Sequence, residues 1–124
     1  MGTGIWDDPR ILDIEELNGA VFAAPNHKTL AIFESRYQAM FKEKPTTIAS
    51  LGYDAVALVA GLIQKYPNNP FDSANITNPN GFTGVGGIFR FRKDGLSERG
   101  LSILRIENKR FNVVIPAPDT FAGS

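Results

Sequence analysis

Apolar residues recur along this chain at two spacings, and each change of spacing marks a new element. Across residues 28–43, Leu30, Phe33, Tyr37, Met40 and Phe41 return every three or four positions, while Glu34, Arg36, Gln38 and Lys42 take the other faces. That is the pattern of an amphipathic helix with an aromatic face turned to a core. After Pro45 the pattern changes: across residues 47–66, Asp54 is the one charged residue before Lys65. A helix apolar nearly all round is predicted to be buried on more than one side.

Elsewhere the period is two, or the apolar run is short and continuous. Residues 88–92 set Phe89 and Phe91 on one face and Arg90 and Arg92 on the other, followed by Asp94-Gly95, a strand and then a hairpin-type corner. Further strands are predicted at 101–107 and 111–115, joined by a turn at Asn108-Lys109. Residues 20–24, read as AVFAA between Asn18-Gly19 and Pro25-Asn26, suit a buried strand of a parallel sheet. Asp7-Asp8-Pro9 reads as the capped start of a short helix with Ile11, Leu12 and Leu17 on its apolar face. The Asn/Pro-rich stretch 67–80 is a loop with a single helical turn near 73–76, and the tail 116–124 is irregular.

Residues 81–95 hold five of the chain's 12 glycines. A phosphate-binding glycine loop opens a helix, whereas this one leads into a strand and lacks Gly-Lys-Ser/Thr, so it reads as a tight chain reversal.

The 124 residues, 43% of them apolar, make one domain's length. Thirteen acidic side chains balance 13 basic ones, which leaves no electrostatic ground for a nucleic-acid or anionic-membrane partner. The absence of cysteine excludes a disulfide framework, a thiolate zinc site and a cysteine nucleophile. No run reads as long and apolar enough to span a bilayer. The first ten residues have neither a basic nor an apolar signal-peptide region, so an exported form is expected to need an upstream segment.

Candidate chemistry is sparse. His27, the one histidine, follows a strand with no carboxylate arranged beside it in sequence, and is expected to be an exposed loop residue. Asp7-Asp8 and Glu15-Glu16 read as caps and solvated faces. Trp6 either stacks on a ligand or covers the core. Asp54, inside an apolar helix, either ties that helix to a neighbouring segment or points into a wet cleft. No catalytic set, metal-ligand set or cofactor motif is present.

The runs GTGIWDDP, LNGAVFAAP, FESRYQAMFKEKP, ASLGYDAVALVAG, GFTGVGGIFRFRKDGLSERGLSILRI and NKRFNVV cover almost the whole chain. In this order they resemble the C-terminal part of type 1 periplasmic binding proteins, the leucine/isoleucine/valine-binding-like family. NPNGF, GIFRFRKDG and ERGL are most similar to the branch labelled penicillin-binding protein activator. The resemblance implies an α/β fold: a partial type 1 lobe, a short sheet with two main helices and C-terminal β-hairpins. Residues 1–45 and 82–115 would be second-lobe elements and 47–66 a first-lobe-type helix, all within one C-terminal fragment.

It further implies a non-enzymatic, periplasmic protein: either the solute receptor of an ABC-type, branched-chain amino acid-like transport system or a binding-derived regulator of cell-wall synthesis. Partners would be a small molecule such as an amino acid, held by the complete two-lobed protein, and a membrane permease or a penicillin-binding protein. Trp6, Asp7, Asn26, Tyr53 and Asp54 fall at cleft or hinge positions. Amino-acid binders of the family commonly place a carboxylate in the first loop, where this chain has Thr3, Gly4 and Ile5 and reaches an acid only at Asp7. Alone, the fragment is expected to self-associate through apolar residues of the 47–66 helix, which would lack their first-lobe cover. The alternative is a small α/β enzyme using Asp7, His27 or Asp54, which requires at least two of them to converge on one pocket.

Overall fold

The computed structural model describes residues 1–122; the end of the tail, residues 123–124, lies outside the described residues. Three short 3-10 turns, at Gly4–Trp6, Pro9–Asp13 and Glu15–Leu17, lead into β1 (Val21–Ala24) and α1 (His27–Phe41). Next come α2 (Thr47–Lys65), α3 (Ser73–Ile76), β2 (Phe82–Gly84), β3 (Gly87–Phe91), β4 (Ser97–Arg99), β5 (Ser102–Glu107) and β6 (Arg110–Ile115). The strands form two antiparallel sheets of three, in the orders β1-β5-β6 and β2-β3-β4.

The N-terminal stretch is where a helix was expected. Asp8 does cap it, its side chain accepting from Arg10 N, and Pro9 does open it, yet the segments are 3-10 turns. They wrap the first sheet: Trp6, Ile11, Leu12 and Leu17, with Phe111, pack on the buried cluster of Phe22, Ala24, Leu104 and Ile106. β1 is buried as predicted, but its ladder is antiparallel to β5, and its parallel contact is one bridge from Gly2 to Phe22. A four-residue apolar run reports burial, not the direction of its neighbour.

β5 and β6 form the predicted hairpin. Asn108 and Lys109 both take positive φ (52° and 59°), as a two-residue turn matched to strand twist requires. The glycine-rich stretch is a hairpin in its own right: β2 pairs with β3 across Val85-Gly86, and β4 returns after the Asp94-Gly95 corner, where Gly95 has φ 86°. Three-residue strands such as β2 and β4 are too short to carry a periodic signal, and the sequence pattern missed both. Phe82, Phe89 and Phe91 gather on one face of this sheet, while Arg90 pairs with Glu98 on β4. The two sheets come together where Asn26 N, just after β1, donates to Gly86 O in the β2–β3 turn, while within the first sheet the Ser102 hydroxyl donates to the carbonyls of Ala24 and Pro25.

The helices depart most from expectation. α1 has its aromatic row, Phe33, Tyr37 and Phe41, with neighbouring ring centroids 6.0 and 4.7 Å apart, but none of its residues is buried and Phe41 is 56% exposed. α2 buries only Asp54 and Leu62, leaving Ile48, Leu51, Val56, Val59 and Ile63 exposed. The predicted two-sided burial is absent because, among the described residues, no second layer packs on that helix. With 19 residues and a mean hydropathy of 1.4, α2 is also long and apolar enough to cross a membrane by length and composition, contrary to the sequence reading. Its mid-helix Asp54, hydrogen-bonded to another segment, is a feature of a docked helix.

Candidate functional site

The ends of these elements enclose an open groove of about 650 Å³. Its wall is built from the first loop (Gly4, Ile5, Asp7, Asp8), α1 (Leu30, Phe33, Glu34), the start of α2 (Thr47, Ser50, Leu51, Asp54) and the second sheet with its link to β5 (Ile88, Arg99, Gly100, Leu101). Pockets that hold small ligands typically have volumes of about 300–1,000 Å³, an apolar lining and a few convergent polar groups, and this groove has that character.

Each polar group is placed by local chemistry. Asn26 caps α1, its Oδ1 accepting from Lys28 N and Thr29 N, which puts His27 in the first turn of the helix and not in a loop. From there His27 Nε2 sits 2.8 Å from each carboxylate oxygen of Asp7. His27 is therefore not the exposed loop residue expected: it is partly buried at the start of α1 and meets Asp7, 20 positions away in sequence, through the chain reversal at β1. The hydrogen bond to Asp7 raises the His27 pKa, partial burial opposes it, and the charges of Asp7 and Glu34 add to the rise. Next to it, the Arg10 side chain on Asp8 holds that carboxyl down at about 2.

Asp54 satisfies both readings offered for it. Oδ1 accepts from Val85 N at 3.0 Å, tying α2 to the β2–β3 turn, and the residue also lines the groove. A Cβ on Gly84 would overlap Asp54 Oδ2, so glycine there lets the carboxylate reach the turn. A second cavity, about 280 Å³, shares Asp54 and is floored by Leu58, Leu62, Phe82 and Phe89.

Of the five predicted site residues, Asp7 and Asp54 line the groove. Trp6 packs against Phe22, ring centroids 6.4 Å apart, and covers the core. Asn26 is the helix cap, and Tyr53 stacks on Phe33 at 5.4 Å, joining α2 to α1. Among the three residues of the enzyme alternative, Asp7 and His27 touch, and Asp54 shares the groove with Asp7. The sequence reading missed Glu34 and Arg99, because a polar residue on a helix flank or a three-residue strand looks like any solvated charge.

No protein-family model matches the chain, and no curated protein matches it. Solved structures do. A putative branched-chain amino acid ABC transporter protein from Rhodospirillum rubrum is 22% identical over 91% of this chain and 36% of its own, with a TM-score of 0.75. A leucine-binding protein from Thermotoga maritima is 20% identical over 94% of this chain and 37% of its own (TM-score 0.56). A branched-chain amino acid transporter substrate-binding protein from Streptococcus pneumoniae, in complex with isoleucine, is 26% identical over 77% of this chain and 30% of its own (TM-score 0.53). The architecture is thus that of part of a type 1 periplasmic binding protein, and the chain spans about a third of the length of these structures.

Proposed function

We propose that the chain is the second-lobe and hinge portion of a periplasmic solute-binding protein serving an ABC-type, branched-chain amino acid-like transport system. The carrying observation is the groove: a volume fit for a small organic molecule, apolar walls and a few charged groups, on a fold shared with transporter substrate-binding proteins. In this reading residues 1–45 and 82–115 form the lobe and α2 belongs to the opposite one, which accounts for its bare apolar face. Ligand would be held by closure of two lobes, its greater affinity for the closed form shifting that equilibrium. The role is capture, not catalysis, in the periplasm, with a membrane permease as the receiving partner.

A binding-derived regulator of cell-wall synthesis, acting on a penicillin-binding protein, is a second form of the same proposal. It is supported by the runs NPNGF, GIFRFRKDG and ERGL, which make up the second sheet and the turn before it. The enzyme alternative has one observation in its favour, the Asp7–His27 pair, but there both Asp7 oxygens face His27 Nε2.

The test is titration calorimetry of the complete two-lobed protein with leucine, isoleucine and valine. Saturable binding of at least one of them is expected. No binding of any of the three would overturn the transport reading, and tight binding of any of them would remove the regulator-only form.

A further inference from the structure

The chain after β6 has no regular structure, yet it does not simply trail into water. Residues 112–116 and 118–120 are exposed, whereas Ala117 and Phe121 are half-buried. Having left the first sheet at Ile115, this segment reaches the second. The Phe121 ring lies under the Arg90 guanidinium, 4.4 Å from ring centroid to Cζ. In its own plane that guanidinium is already engaged, Nε donating to Glu98 Oε2 at 2.6 Å and Nη1 to Pro79 O at 3.1 Å, so the ring takes the face that remains. The side chain of Arg90 is accordingly 19% exposed, against 51% for Arg92 and 42% for Arg105. Two glycines leave the room the segment fills: a Cβ on Gly81 would lie 2.9 Å from the Phe121 ring, and one on Gly100 would lie 3.0 Å from Pro118 Cγ.

We infer that residues 116–121 are a strap, carried by the first sheet and docked on the second through Phe121 and Pro118, which holds one wall of the groove in position. The wall in question is the link from β4 to β5. Gly100, against which Pro118 packs, donates its N–H to Ile88 O at 2.9 Å, and Ile88, Arg99, Gly100 and Leu101 all line the groove. With the strap seated, this link is fixed from both sheets. With the strap released, Gly100 keeps only its bond to Ile88, and the wall gains freedom to move. The strap acts on the wall whatever the groove holds, so its test needs no ligand.

Amide hydrogen exchange, read by NMR on the full chain, reports the opening of single hydrogen bonds. The reporters are Gly100 N–H, bonded to Ile88 O, and Gly81 N–H, bonded to Asn78 O; the control is Ile106 N–H in the first sheet, bonded to Ala20 O. Phe121→Ala is expected to speed exchange at Gly100 and Gly81 about three-fold or more and to leave Ile106 unchanged, as loss of one partly desolvated cation–ring contact implies. Pro118→Gly should speed Gly100 alone. Phe121→Tyr, which keeps the ring face, should hold the native rates. Native exchange at Gly100 in Phe121→Ala would overturn the hold on the wall, whatever happens at Gly81. An equal rise at Ile106 would overturn it too, as a loss of overall stability, and fast exchange in Phe121→Tyr would overturn the ring contact as the anchor.

Discussion

The first sheet and α2 are both rich in apolar residues, yet one is closed and the other open. In the sheet, Phe22, Leu104 and Ile106 are almost wholly removed from water and the preceding 3-10 turns lie over them as a cover. On α2, Val56 is 72% and Ile48 75% exposed, and Asp54 accepts a hydrogen bond from Val85 N that ties the helix to the β2–β3 turn. Apolar composition therefore does not say whether a surface is finished: the sheet is covered by the preceding turns, and the apolar face of α2 is left bare among the described residues.

The sharpest break of the comparison is a matched pair of truncations. Phe22→Ala should cost about 3–5 kcal/mol of unfolding free energy, since it deletes a fully buried ring and leaves a cavity. Val56→Ala should cost less than about 0.5 kcal/mol, as for any exposed position without special contacts. Urea denaturation reads both, and equal losses would mean that α2 is as well packed as the sheet. Phe41→Ala belongs with Val56, given its exposure, despite the core role its helical spacing suggested.

Next in size is the attachment of α2. Asp54→Ala leaves Val85 N without its acceptor and should cost about 1–3 kcal/mol. Gly84→Ala should give a loss of similar size by displacing the same carboxylate, and the double variant should lose less than the sum. Full additivity would show that the two positions act separately.

The open helix face carries the third prediction. Two chains covering each other's Val56, Val59 and Ile63 should form a dimer, each such side chain contributing roughly 1.5–3 kcal/mol when buried. Sedimentation equilibrium should show it, and Val56→Glu should return the protein to monomer. A monomer in the unmodified chain would mean that the bare face is stable in water as it stands.

The smallest effect is electrostatic. His27 has a folded-state pKa raised above its ordinary value by Asp7, so the stability this gives is fully present below about pH 6.5 and is lost as pH rises through the folded value. The melting temperature should therefore fall modestly between pH 6 and 8 in the native chain, and His27→Gln should flatten that slope. An unchanged slope would show that the pair is too solvated to matter.

Much of the local structure was legible in the chain itself. Proline and asparagine punctuation bounded α2 and α3, alternating Phe and Arg marked β3, and Asn108-Lys109 and Asp94-Gly95 marked their turns, because each depends on the backbone preferences of residues adjacent in sequence. Even the two readings of Asp54 were set by one local fact, a carboxylate in an apolar helix. What joins His27 to Asp7, Asp54 to Val85, or Glu34 and Arg99 to one groove is separation in sequence closed by folding, and no periodicity encodes it. The same holds for exposure. Helical spacing told which residues of α1 and α2 share a face, but whether that face meets water or protein depends on neighbours, and only the tertiary structure supplies or withholds those.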